Sequence, residues 1–180
     1  IHPPSRFLAD VSKVLEKSPL GAQDFSDGLT ELGAKYVIIG HSDRRKAGDT
    51  NEIVAEKFSF AIKAGLIPIL CVGETLEQKN AGEKEKIVKE EIISAFNQPT
   101  SKLDKQLLIY IAYEPIWAIS TNPNAEPDKP ENTLEMVKFI KNILKEINFP
   151  LDKVHFIYGG SVNSKNAELF LKNPEIEGAL

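Results

Sequence analysis

The chain has 180 residues, 42% of them hydrophobic, so it is long enough to bury a sizeable core as one domain. Its 22 basic and 26 acidic residues give a net charge of -4, which excludes a global attraction to nucleic acid or to an anionic membrane. Cys71 is the only cysteine, so no internal disulfide can form and we expect a reducing compartment. No apolar run is long enough to span a bilayer. Because the chain starts at Ile1, without methionine or a signal-peptide pattern, we expect it to begin within a longer protein.

The first third of the chain predicts one helix, a short strand and a buried strand. Helical spacing of apolar residues predicts a helix over residues 6–17. The predicted inward face of this helix consists of Phe7, Val11, Val14 and Leu15. A short strand is expected over 20–23, and residues 29–33 are interpreted as a helix end that stops at glycine. The β-branched, apolar segment 36–40 predicts a strand buried on both faces.

The middle of the chain predicts two amphipathic helices separated by an apolar strand. The helices are expected over 50–64 and 82–97, and the strand over 66–73. The predicted inward residues are Val54, Phe58, Ala61 and Ile62 in the first helix and Val88, Ile92, Ala95 and Phe96 in the second. The Lys and Glu residues of the second helix are interpreted as a solvated face rather than a binding site.

The last part of the chain continues the alternation. A buried strand over 107–113 is followed by a helix over 132–147, a strand over 154–158 and a short helix over 164–172. The inward residues of the long helix are expected to be Val137, Ile140, Leu144 and Ile147. Residues 177–180 have the composition of a strand start.

This order of elements predicts an α/β fold with a parallel sheet covered by helices. Two architectures are compatible with it, an open doubly wound sheet and a (β/α)₈ barrel. No Gly-x-Gly-x-x-Gly follows a strand, which weakens the dinucleotide-binding version of the first. A barrel needs eight strands and about 250 residues, so a barrel would imply roughly two β/α units outside the given sequence.

Polar residues stand at the carboxyl ends of three predicted strands. They are His41, Glu114 and Ser161. Strand carboxyl ends meet at one face of a parallel β/α fold, so we expect these three residues to converge there. Glu114 ends a buried strand beside the polar loop 120–127, which makes it a candidate general base, the alternative being a surface glutamate at a strand end.

The other strand-end residues have both functional and structural interpretations. Helix amides after His41 would disfavour an imidazolium, so a neutral ring could donate to a carbonyl; a structural histidine is the alternative. The segment 159–161 suits a phosphate at a helix start, or a tight turn. Cys71 is interpreted as a packed thiol near the site, not a nucleophile. No metal-ligand spacing is present, so no metal site is expected.

Five segments together resemble the triosephosphate isomerase family, in the family's order and over nearly the whole chain. They are residues 36–42, 71–75, 112–119, 158–162 and 177–180. The resemblance implies a (β/α)₈ TIM barrel, in one domain over 1–180, with the first strands and the C-terminal end absent from this chain. We expect the given sequence to omit those parts.

The resemblance also implies the roles of individual residues. Glu114 would be the base that moves a proton between two carbons of the substrate, and His41 the neutral electrophile at its carbonyl. Ser161 and the amide of Ser120 would hold the phosphate, and residues 115–125 would form a closing lid. Supporting roles are implied for Asp43, Cys71 and Gly160.

The implied reaction interconverts dihydroxyacetone phosphate and glyceraldehyde 3-phosphate, with neither cofactor nor metal. A homodimer in the cytoplasm, with no nucleic-acid or membrane partner, is implied as well. Two alternatives stay open. Another phosphate-binding barrel, such as an aldolase, would need a Schiff-base lysine at a strand end, and none of the recognised strands ends in lysine. A truncated, non-catalytic member of the family is the other.

Several residues depart from the family pattern. Asp43 replaces a glutamate, and Ser120 replaces a glycine whose amide meets the phosphate. Asn122 and Pro123 replace a glycine and a lysine of the lid, and proline is expected to stiffen it. The loop over residues 23–28, which in the family docks into the partner subunit, is nearly gone.

Overall fold

A computed structural model of the chain describes residues 1–97, 108–122 and 125–180. The strands it describes are β1 (Leu20–Ala22), β2 (Ala34–Ile39), β3 (Ile67–Val72), β4 (Ile109–Tyr113) and β5 (Val154–Tyr158). The described α-helices are α1 (Leu8–Val14), α2 (Ser42–Lys46), α3 (Asn51–Lys63), α4 (Leu76–Asn80), α5 (Lys84–Phe96), α6 (Pro130–Glu146) and α7 (Ala167–Leu171). Short 3₁₀ turns cover Ser5–Phe7, Ile116–Ala118 and Leu151–Lys153.

The strand order distinguishes the two predicted architectures. The sheet runs β1-β2-β3-β4-β5, and every neighbouring pair is parallel. A doubly wound sheet reverses its order at a switch point, whereas a barrel adds each strand beside the preceding one. A parallel bridge from Tyr158 to Ala179 continues the progression, so the predicted strand start at 177–180 is present as a bridge. The sheet therefore has the winding of a barrel, and the doubly wound alternative is wrong.

The two faces of the sheet contribute to two separate cores. The larger core combines one face of the strands with the helices, so α3, α5 and α6 all pack on the same side. The opposite face holds a smaller cluster that contains no helix residue. Its members are Ile38, Ile69, Cys71, Ala112 and Ile157, with Tyr36 and Tyr110 packed against them. In a barrel wall, side chains along each strand point alternately outwards, towards the helices, and inwards, towards other strands. The two cores of this sheet have that arrangement.

Local signals explain where α3, α4 and α6 begin. Thr50 caps α3, because its hydroxyl accepts from the Ile53 N–H. Thr75 and Gln78 form a capping box at the start of α4. Pro130 is the first residue of α6, where its missing N–H leaves no hydrogen bond unmade. No helix among the described residues is both long and apolar enough to cross a bilayer.

The N-terminal region differs from two sequence-based predictions. The predicted helix over 6–17 is shorter, and its buried residue is Leu8, whereas Phe7 and Val14 are 45% and 75% exposed. Residues 29–33 form hydrogen-bonded turns rather than a helix end. Gly28 and Gly33 both have φ near +80°, so the segment is too short between two left-handed residues to hold a helix.

The boundaries of several other helices and strands also differ from the predicted ones. The helix predicted over 82–97 begins at Lys84, and the separate helix α4 before it was not predicted. The helix predicted over 164–172 starts at Ala167. Leu107, where a strand was predicted to start, lies outside the described residues, and β4 runs from Ile109. The predicted inward residues of α3, α5 and α6 do pack into the larger core.

A pair of phenylalanines on α3 allows a matched test of this core. Phe58 is fully buried, with its ring 5.3 Å from that of Phe96, whereas Phe60 is 48% exposed. We expect Phe58→Ala to lower the free energy of unfolding by about 3–5 kcal/mol, because it leaves a cavity. Phe60→Ala should cost less than about 1 kcal/mol. Urea unfolding measures both, and similar losses in the two variants would contradict the described packing.

Candidate active site

The backbone of Glu114 lies between two glycine-bearing strand ends. Its N–H donates to the Val72 carbonyl at 2.8 Å, which extends the pairing of β3 and β4 by one residue. A Cβ on Gly73 would lie 1.9 Å from the Glu114 carbonyl oxygen, and one on Gly159 would lie 3.1 Å from the Glu114 Cβ. Both neighbouring strand ends can approach Glu114 this closely only because they carry no side chain there.

The Glu114 carboxylate is buried and surrounded by donors. The residue is 2% exposed. The Ser42 N–H donates to Oε2 and the Ser42 hydroxyl to Oε1, both at 3.0 Å, and the His41 Nε2 lies 3.1 Å from Oε1. Burial raises the pKa of Glu114, while His41 and the two Ser42 hydrogen bonds lower it and offset part of that rise. The result is a carboxylate with a raised proton affinity that is still held by donors.

The position of His41 follows from the glycine before it. Gly40 has φ +77°, which turns the chain sharply at the end of β2, and His41 then becomes the N-cap of α2. Its Nδ1 accepts from the Asp43 N–H at 3.2 Å. With Nδ1 accepting, the hydrogen of a neutral imidazole lies on Nε2, the atom that faces Glu114. The Asp43 contact therefore fixes which ring nitrogen carries the hydrogen of a neutral imidazole.

Asp43 contributes to this arrangement through its backbone. Its carboxylate is 77% exposed and lies 3.9 Å from His41 Nδ1, farther away than its own amide. The amide would be the same in glutamate, so the described contact does not depend on the length of the side chain.

The two residues predicted to hold phosphate lie together. The Ser120 N–H donates to the Ser161 hydroxyl at 2.7 Å, although the residues are 41 positions apart. Of the two interpretations of the segment 159–161, the helix start is wrong, because α7 begins only at Ala167, after a turn. Gly160 has a packing reason to be glycine, since a Cβ there would lie 2.2 Å from the Tyr158 hydroxyl.

The loop after Glu114 is anchored at several points. The Trp117 indole N–H donates to Glu74 at 2.7 Å, and the Glu126 N–H donates to the Trp117 carbonyl at 2.9 Å. The Asn122 amide donates to the Ile116 carbonyl and accepts from Lys46 on α2, at 2.7 and 2.6 Å. Pro123, whose stiffening effect was predicted, lies outside the described residues.

Cys71 packs on the inner face of the sheet. It is fully buried at β3, within the smaller core. Burial raises its pKa well above that of an ordinary thiol, and the charge of Glu114 adds to the rise. The thiol therefore stays protonated, which agrees with its interpretation as a packed group and not a nucleophile.

Sequence reasoning missed two buried carboxylates beside the site. Glu74, after β3, accepts from the Trp117 indole and the Tyr113 hydroxyl, and burial raises its pKa. Glu91 on α5 accepts from the Gly73 N–H at 2.8 Å, and burial raises its pKa to about 7. The sequence could have indicated Glu91, because it lies three residues after Val88 on the inward face of the predicted helix, where a charged residue is unusual. Among the described residues, no group of three or more His, Cys, Asp and Glu is placed to hold a metal.

The parallel sheet wound as a barrel, with a carboxylate and a neutral imidazole at its strand carboxyl ends, defines a barrel protein equipped for acid–base chemistry. The family model described as triosephosphate isomerase matches residues 1–180. The chain belongs to the triosephosphate isomerase family.

Curated relatives agree with this assignment. The triosephosphate isomerase of Buchnera aphidicola is 40% identical over the whole chain, which covers 76% of the relative's length. That of Dictyoglomus turgidum is 39% identical, again over the whole chain and 78% of its own length. The Aquifex aeolicus protein is 41% identical over 84% of the chain and 60% of its length. The chain thus matches most, but not all, of the length of these relatives.

The Ser42 hydroxyl offers a direct test of the electrostatics at Glu114. We expect Ser42→Ala to raise the pKa of Glu114 further, because the lost hydrogen bond favours the ionised form while the backbone N–H of residue 42 remains. Carbon-detected NMR titration of the Glu114 carboxyl measures the shift. Ser94→Ala, which removes a hydroxyl bonded to the Asn51 carbonyl, is the control and should leave the titration unchanged. An unmoved or lowered pKa in Ser42→Ala would reject the described contact.

Proposed function

We propose that the chain is an isomerase that interconverts dihydroxyacetone phosphate and glyceraldehyde 3-phosphate by proton transfer through an enediolate. The observation that carries the proposal is the 3.1 Å approach of His41 Nε2 to the buried Glu114 carboxylate at the strand carboxyl ends. An acid–base pair in this position is what proton abstraction next to a carbonyl requires. Membership in the triosephosphate isomerase family supports this substrate class.

In this proposal Glu114 is the base. Its burial raises the proton affinity of the carboxylate, so it takes a proton more readily than a solvated glutamate would. The Ser42 amide and hydroxyl keep it ionised and hold it against α2. The carboxylate exchanges these contacts for the substrate C–H, removes the proton, and returns it to the neighbouring carbon.

His41 acts at the oxygens of the substrate. A neutral imidazole with its hydrogen on Nε2 donates to the carbonyl, which stabilises the negative charge that develops as the C–H proton leaves. Nε2 gives its proton to that enediolate oxygen and takes the proton of the neighbouring hydroxyl, so the ring is neutral again at the end of the step. The Asp43 N–H fixes the ring by donating to Nδ1.

The phosphate is assigned to Ser120 and Ser161. Their contact brings a backbone N–H and a hydroxyl to one point, and both can donate to a phosphate oxygen. The loop 115–125 is the proposed lid, whose closure excludes water and limits loss of phosphate from the enediolate. Gly160 and Cys71 support the site by packing and take no part in proton transfer. The chemistry needs neither metal nor cofactor, because the substrate carbonyl acidifies the adjacent C–H.

A test of the base uses the isosteric amide. We expect Glu114→Gln to lower kcat by about 10²–10⁴-fold, because the amide cannot take a proton. Binding of a non-reactive phosphorylated analogue should change little, since the phosphate contacts remain. A coupled isomerase assay and calorimetry measure the two quantities.

Glu168→Gln on α7 is the control, because Glu168 is exposed and the charge change is the same. It should keep the parent activity. Near-parent turnover in Glu114→Gln would reject the assignment of the base. A parent that binds the analogue but has no isomerase activity would instead indicate a non-catalytic member of the family.

We also propose a homodimer located in the cytoplasm. The resemblance to the family supports both, and the single reduced thiol supports the location. Sedimentation equilibrium at micromolar concentration should give twice the mass of the chain, and a monomer at all concentrations would overturn the proposal.

A further inference from the structure

We propose that Glu91 is a positioning residue for the two catalytic groups: its carboxylate, with the Arg45 guanidinium, joins the strand ends that carry His41 and Glu114. The inference rests on the proposed isomerase function for its kinetic consequences. The contacts themselves lie at the ends of β2, β3 and β4.

The first half of this connection reaches Glu114. Glu91 projects from α5, is buried, and accepts from the Gly73 N–H through Oε2 at 2.8 Å. Gly73 is the residue on which any side chain would collide with the Glu114 carbonyl. A shift of the Gly73 backbone therefore moves Glu114 directly, because no side chain lies between them to absorb it.

The second half reaches His41. Arg45 Nη2 lies 3.3 Å from Glu91 Oε1, and both groups are largely buried. The same guanidinium donates through Nε to the Gly40 carbonyl at 2.9 Å and through Nη1 to Asn51 at 2.7 Å. Gly40 immediately precedes His41, so Arg45 fixes the turn from which the imidazole projects.

A carboxylate suits both partners at once. The Gly73 N–H donates to Oε2, and the Arg45 guanidinium is a cation 3.3 Å from Oε1, so the side chain between them must accept at one oxygen and carry negative charge at the other. A glutamine accepts with its oxygen but presents an NH₂ group to the second partner. Glu91→Gln therefore keeps the shape of the side chain and breaks one of the two contacts.

The charges around Glu91 make its contact with Arg45 depend on pH. It faces Arg45 from α2, Glu74 after β3 and Glu114 after β4. Burial raises its pKa to about 7, Arg45 and the Gly73 hydrogen bond oppose that rise, and the two carboxylates add to it. Above pH 7 the ionised group holds both partners. Below pH 7 the protonated group loses its charge attraction to Arg45 and becomes similar to glutamine.

The experiment compares kcat of the parent and Glu91→Gln from pH 6 to 8, per active site counted with a phosphorylated analogue. We expect kcat of Glu91→Gln to be about 10-fold lower at pH 8, because a misplaced base slows the reaction. The difference should close towards pH 6, and KM should stay within about twofold, because the phosphate contacts are elsewhere. Glu90→Gln, the exposed neighbour on α5, should match the parent throughout.

Glu91→Asp separates positioning from packing and also serves if Glu91→Gln fails to fold. Aspartate keeps two accepting oxygens and the charge but fills less space. If Glu91 positions the catalytic groups, kcat at pH 8 should be highest in the parent, lower in Glu91→Asp and lowest in Glu91→Gln. If Glu91 only fills space, the isosteric Glu91→Gln should be more active than Glu91→Asp, and that order would overturn the proposal.

Amide exchange at Gly73 tests the geometry without catalysis. Glutamine still offers one accepting oxygen, so this test uses Glu91→Leu, in which the Gly73 N–H should exchange about 10-fold faster than in the parent or in Glu90→Leu. Unchanged exchange in Glu91→Leu, or kcat of Glu91→Gln within twofold of the parent at pH 8, would overturn the proposal. A parent without isomerase activity would reject the proposed function alone, and Gly73 exchange would then decide whether Glu91 holds this strand end.

Discussion

The burial of the Glu114 carboxylate is the constraint on which the rest of the site depends. A buried charge is tolerated only where donors replace its water. Those donors are the N–H and hydroxyl of Ser42, with the His41 ring 3.1 Å away, and both residues follow β2, although β3 lies between β2 and β4. The end of β3 must therefore stay small enough for groups on either side to meet across it, and Gly73 meets that requirement. The glycine after β3 is thus a condition for the acid–base pair.

Carboxylates recur around the strand ends, and each has a different set of partners. Glu114 is held by the His41–Ser42 segment, Glu74 by the Tyr113 hydroxyl and Trp117 indole, and Glu91 by Gly73 and Arg45. Burial raises the pKa of all three, and the charge of Glu114 adds to the rise at Glu91. Arg45 offsets part of the rise at Glu91, Lys84 part of the rise at Glu74, and His41 part of the rise at Glu114. At each of the three carboxylates the main cause of the raised pKa is therefore its own burial, and only at Glu91 do the other two carboxylates add to it.

The sequence predicted the regular parts of this structure and the convergence of its main side chains. Strong periodicity located α3, α5, α6 and the central strands, because burial of an apolar face decides those elements. The convergence of His41 with Glu114 followed from the rule that parallel strands end at one edge. Two kinds of feature could not be predicted. Short segments such as 29–33 depend on glycine conformation more than on pattern. The contact of Glu91 with the Gly73 N–H depends on how α5 packs against the end of β3. Helical periodicity predicts which face of α5 is buried but not which group that face meets.

The indole of Trp117 has a consequence for how this protein can be observed. It is the only tryptophan in the sequence. It lies three residues after Glu114, within the loop, with the Lys79 ammonium 3.4 Å from its ring centroid and the Glu74 carboxylate on its N–H. Tryptophan emission responds to nearby charge and to hydration, so any rearrangement of the loop changes an optical signal with no background from other indoles. The chain thus carries a native fluorophore in the loop after Glu114, and stopped-flow fluorescence can follow any rearrangement of this loop without a label.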